Sequence, residues 1–123
     1  MHVLQLSSLL FFVPWVLSVE FLVPHYMFLP ALIGTSWEVH GGHATAGTHA
    51  IDVMLTLMWF VINLYLFAKH HAWTDVVSTA CGVVAILWKV LDRHCENTVF
   101  HVIGHVVASV GTSALILHIA RYS

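Results

Sequence analysis

Residues 98–120 read TVFHVIGHVVASVGTSALILHIA, twenty-three positions without a Lys, Arg, Asp or Glu. About 20 apolar residues in a helix cover the ~30 Å hydrocarbon core of a bilayer. Working back from this stretch, four more apolar runs of similar length appear: about 3–19, interrupted by Pro14; 24–43, with Pro30 inside; 49–68; and 74–91. Short polar breaks at 18–20, 41–48, 69–74 and 92–97 separate them. Period-two alternation is absent, and in lipid only helices and closed barrels satisfy the backbone internally. The predicted fold is therefore an all-α integral-membrane bundle of about five transmembrane helices, multi-pass, with residues 1–123 as a single domain. Gly41-Gly42 predicts a helix stop and Asn97-Thr98 a start. Thr74 is expected to cap the fourth helix, with Asp75 in its first turn.

Composition points the same way. Hydrophobic residues make up 59% of the chain and charged ones 8%, against roughly 25% charged in a soluble domain. A soluble chain of 123 residues has little volume in which to bury that much apolar surface. The net charge is −2, and Lys69, Lys89, Arg93 and Arg121 are dispersed, which argues against a nucleic-acid partner. The apolar N-terminus lacks a basic leader and an A-x-A site, so it is expected to be a retained helix. Cys81 reads as a small hydrophobe and Cys95 as a loop thiol. Five tryptophans, mostly near helix ends, suggest an aromatic belt. Lys89 and Arg93 on one face balance Lys69 and Arg121 on the other, so basic residues do not orient the bundle.

Histidine is the dominant polar chemistry, because eleven histidines exceed the four basic and six acidic residues together. Short breaks make successive helices antiparallel. The end of the second helix, the start of the third and the start of the fifth then share one membrane face. That parity places Ser36 and His40, Asp52, and His101 and His105 at one depth, and excludes His118 and the His70-His71 pair. Residues four apart share a helix side, so Ser36/His40 and His101/His105 are each same-side pairs. Ionisable groups in apolar segments usually mark function. Three imidazoles leave a fourth zinc position for water, the arrangement of catalytic zinc sites. Asp52 would serve as proton carrier and Ser36 as an orienting hydroxyl or oxyanion donor. His43 and His49 lie near the same face and compete with His40 as ligands. Gly104, Ala108, Gly111 and Ser113 predict close helix packing along the fifth helix.

The order of SWEVH (36–40), Asp52 in HAIDVML (49–55), WKVLDRHC (88–95) and HVIGH (101–105) resembles the CREST superfamily of membrane hydrolases. That superfamily includes the alkaline ceramidases, the progestin and adiponectin receptors, and the GPI-processing phospholipase group with myomaker. LSSLLFFVPWV (6–16) is similar to the first helix of the phospholipase–myomaker branch. The resemblance implies zinc held by His40, His101 and His105, with Ser36 and Asp52 beside it. It also implies seven helices, where this chain has five apolar runs; loss of two between the third and the last preserves the direction of the last. Gly104 stands where the family often has Trp, and Glu38 where an aromatic or apolar residue is usual.

The expected activity is zinc-dependent hydrolysis of a lipid amide or ester, ceramidase- or phospholipase-like, with a membrane lipid substrate entering from the bilayer. The alternative is a non-catalytic receptor-like or scaffolding membrane protein with a structural zinc. A haem-binding anchor is a third reading, because paired histidines on neighbouring helices can ligate b-type haem.

Overall fold

Pro14 has no N–H to offer the carbonyl of Leu10, and the first helical span is built around that gap. In the computed structural model, which describes residues 3–42, 45–92 and 98–122, α1 (Val3–Ser8) passes through a 3-10 turn at Leu9–Phe11 into α2 (Phe12–Glu20). The chain then reverses at Leu22, whose φ is 56°, and makes a second 3-10 turn at Pro24–Tyr26. Only then does α3 (Leu29–His40) begin, with Pro30 in its first turn, where a missing N–H costs nothing. This helix is shorter than the expected run from Pro24. Its 12 residues rise only about 18 Å. The left-handed Leu22 and the fixed φ of Pro24 take the intervening residues for the turn.

Gly41 and Gly42 end α3: their N–H groups bond to the carbonyls of Trp37 and Val39, and Gly42 has a φ of +76°. Thr45 caps α4 (Ala46–Lys69) by accepting the Thr48 N–H at 3.1 Å, which starts this helix three residues earlier than position 49. Thr74 does not cap the next helix. Asp75 does, its Oδ1 accepting the N–H groups of Val77 and Ser78 at 2.9 and 3.1 Å, and α5 (Val76–Asp92) follows. A carboxylate accepts two orphan donors at once, and Thr74 is left in a 3-10 turn at Ala72–Thr74. The last helix is α6 (Thr98–Tyr122).

The protein is all-α, with no strand among the described residues. Among the described residues, three segments are long and apolar enough to cross a membrane: Val3–Glu20, Ala46–Lys69 and Val99–Tyr122. Val76–Leu91 is apolar but shorter. An apolar cluster that includes Tyr26, Leu29, Leu66 and Ile116 is buried, but the outside is apolar too and several polar groups lie inside. Met54, Leu57, Val61, Leu64, Val83 and Leu87 are exposed, while Ser8, Ser36, Ser109, Thr112, His105 and His118 are buried. An apolar exterior around a polar seam is the arrangement that suits lipid as solvent, since water rarely tolerates contiguous apolar patches of this kind.

Along the bundle, α6 packs on α1, α2, α4 and α5, and α3 packs on α1 and α4. A polar clamp holds the middle: the Tyr26 hydroxyl donates to Asn63 Oδ1 at 2.6 Å, and Asn63 Nδ2 donates to Thr112 Oγ1 at 3.1 Å. The α5–α6 contact is tight at Gly111, where an added Cβ would lie 2.8 Å from the Cβ of Cys81. Cys81 is thus half-buried packing; Cys95 and Arg93 lie outside the described residues. Gly111→Val is expected to cost about 1–3 kcal/mol by overpacking. Gly82→Ala, with nothing within 4 Å of its new methyl, is expected to leave stability unchanged or slightly raised. Denaturant titration in detergent checks both, and an unperturbed Gly111→Val variant would contradict the tight α5–α6 seam.

Candidate metal centre

His40 is the last residue of α3, and His101 and His105 lie one turn apart near the start of α6. Glycines after His40 stop the helix there, so the imidazole ends where α6 begins. One ligand nitrogen from each of the three histidines lies within 4.8 Å of the others. Ring centroids are 5.0 Å apart for His40–His101, 5.4 Å for His40–His105 and 4.7 Å for His101–His105. His105 is buried and the other two half-buried. This cluster can hold a metal ion.

The fit to zinc can be tested on distances. Tetrahedral zinc with Zn–N bonds of ~2.0–2.1 Å sets its ligand atoms about 3.4 Å apart. Closing from the observed spread requires shifts of about an ångström, within reach of imidazole rotation at a helix end.

Two serines on α1 complete the surroundings of the cluster. Ser7 Oγ is 2.6 Å from His105 Nδ1 and also donates to the Leu4 carbonyl at 3.0 Å. A hydroxyl has one proton. With that proton on the Leu4 carbonyl, Ser7 accepts from His105 Nδ1–H, and Nε2 keeps its lone pair for a metal. Holding a ligand histidine through its other nitrogen is the usual support for a metal site. Ser8 donates to the same Leu4 carbonyl at 2.9 Å, and its Oγ is 2.8 Å from Ser36 Oγ. Ser36 is therefore buried against α1 through a hydroxyl–hydroxyl bond.

Asp52, in the second turn of α4, is half-buried. Thr35 Oγ1 donates to its Oδ1 at 3.1 Å. His49, His101 and Lys89 lie within electrostatic reach of the carboxyl. Asp52 is thus within electrostatic reach of His101 and outside the three-histidine cluster itself. The rival His49 is exposed in the first turn of α4 and does not join the cluster; His43 lies outside the described residues. His118 is at the other end of α6, as helix parity requires.

One aromatic group packs on the site itself, and a second pair packs beside it in the chain. Phe11, from the 3-10 turn between α1 and α2, meets His105 edge-on at 4.9 Å and Trp59 at the same distance. Trp88 of α5 stacks on Phe100 at 4.1 Å, and its Nε1 donates to the Phe100 carbonyl. Gly104 makes room for this indole, since a Cβ there would meet Trp88 Cδ1 at 3.1 Å.

No protein-family model, curated protein or solved structure matches the chain. The geometry must therefore carry the functional reading. Sequence reasoning missed Ser7, Ser8, Phe11 and Thr35. The adjacent serines inside an otherwise apolar run were the available signal for the first two, since hydroxyls in such a run seek a partner on a neighbouring helix.

Proposed function

We propose that this chain is a multi-pass membrane protein in which His40, His101 and His105 hold zinc and the site hydrolyses a lipid amide or ester. The observation that carries the reading is the convergence of three imidazole nitrogens within 4.8 Å beside the Asp52 carboxyl. The similarity of SWEVH, HAIDVML and HVIGH to the words of CREST hydrolases supports it. When bound, zinc supplies Lewis acidity that polarises a carbonyl and makes water more acidic. Asp52, positioned by Thr35 through Oδ1, accepts the proton of the attacking water on Oδ2 and returns it to the leaving amine or alcohol. Substrate then divides into a fatty acid and the remaining amine or alcohol, with water supplying both the new oxygen and the protons.

A groove supports a lipid substrate. It has a volume of about 360 Å³ and is lined by Leu10, Val13, Val106, Val110, Ala114 and Leu117 among others. Leu10 and Val106 adjoin Phe11 and His105 in the chain, so the groove runs from the histidine depth along α2 and α6. Its apolar walls and size suit an acyl chain entering from the bilayer.

The competing reading is a structural zinc site without catalysis. It is favoured by one observation: Ser36 and Asp52 are both engaged in hydrogen bonds between helices. Incubating the purified chain with ceramide and with phospholipids separates the two. Hydrolysis predicts fatty-acid release that stops on chelation and returns with zinc. No release from any of these lipids by a zinc-loaded chain would count against the enzyme and for the structural site.

A further inference from the structure

The end of the bundle opposite the histidines holds a second polar site. His118 is buried on α6, and its Nε2 lies 3.0 Å from the carbonyl of His70 at the end of α4. A carbonyl only accepts, so Nε2 carries the proton and the lone pair of the neutral ring is on Nδ1. That nitrogen is buried without a hydrogen-bond partner. It faces Asp75 Oδ2 at 3.8 Å. A protonated Nδ1 paired with the carboxylate would close to ~2.7–2.9 Å. Two acceptors held apart at this distance instead call for a donor between them.

The space is there. A polar cavity of about 230 Å³ is lined by Thr74, Asp75, Val76, His118, Arg121 and Tyr122. One water occupies about 30 Å³ of liquid volume, so the cavity admits a larger group. Arg121 is exposed at its rim, at the end of a segment long enough to cross a bilayer. Positive and negative recognition groups thus line one cavity at the end of a segment long enough to span.

We propose that this cavity binds an aminoethyl-phosphate headgroup. Its primary ammonium donates to both Asp75 Oδ2 and His118 Nδ1, and its phosphate pairs with Arg121. The ammonium offsets the Asp75 charge and the phosphate that of Arg121, so a zwitterion fits where a simple anion meets the carboxylate. Trimethylation of the amine removes every N–H donor, and choline lipids are therefore excluded. The proposal rests on the membrane placement but not on the zinc site.

The experiment uses the full chain in detergent, exposed to phosphatidylethanolamine and phosphatidylcholine with identical acyl chains, with retained lipid read by native mass spectrometry. Phosphatidylethanolamine is expected to be retained at least about tenfold better. Arg121→Gln, an exposed change that leaves the Asp75 helix cap intact, is expected to remove most of that retention. Soluble glycerophosphoethanolamine is added as competitor: displacement identifies the headgroup alone as sufficient, and persistence of the lipid identifies a membrane-borne ligand. Both outcomes support the site. Equal retention of the two lipids, or an Arg121→Gln variant that retains phosphatidylethanolamine like the parent, overturns it. Chelating zinc is expected to change neither result. A chain that fractionates with membranes but shows no headgroup preference refutes this site and leaves the membrane placement standing.

Discussion

His105→Ala is expected to weaken zinc binding at least about 100-fold. Loss of an outer partner of a ligand histidine typically costs 10–100-fold in metal affinity, and His105 is itself one of the three proposed ligands. The same series grades the site. Ser7→Ala removes the bond to His105 Nδ1 and leaves all three imidazoles, so it should fall in the 10–100-fold range. His49→Ala, exposed and outside the cluster, should bind as the parent does. Competition against a chelator of known affinity gives the three values, and circular dichroism verifies that each variant keeps its helices. Parent-like binding by folded His105→Ala would remove it from the ligand set.

Asp52→Asn is expected to lower lipid hydrolysis by about 10²–10⁴-fold, the usual span for a lost general base, while zinc content stays unchanged. The amide still accepts the Thr35 hydroxyl through its oxygen, so position and packing persist while proton transfer is lost. That separation between chemistry and fold makes the substitution informative. Comparable turnover in parent and variant would exclude Asp52 as the proton carrier, and with it the proposed reaction.

How much of this is legible in the chain follows from what each signal measures. Counting apolar runs gives helix direction, and direction gives depth, which is why His40, His101 and His105 meet while His118 does not. Depth says nothing about rotation. His49 lies near the right depth, yet the 100° per residue of an α-helix turns it outward on α4. Ser7 meets His105 and Ser8 meets Ser36 through the roll of α1 against α6 and α3, which no periodicity in the apolar run reports. α3 is shorter than the apolar run from Pro24 because the chain first turns at Pro24 and at Leu22, whose left-handed φ its residue type does not announce. Asp75 rather than Thr74 caps α5 because its carboxylate takes two backbone donors, a competition between adjacent good caps that sequence leaves open. Gly104 reads as a small packing residue, and it is one; its partner Trp88 is identified only by the α5–α6 contact.

Zinc K-edge X-ray absorption on the purified, metal-loaded chain tests the central claim most directly. About one zinc per chain is predicted, with imidazole scattering from three histidines, Zn–N distances of ~2.0–2.1 Å and no sulfur shell. His101→Ala should reduce the imidazole count or abolish the bound metal. A chain that binds no zinc, or a spectrum dominated by Zn–S at ~2.3 Å, would contradict a metal centre built from His40, His101 and His105.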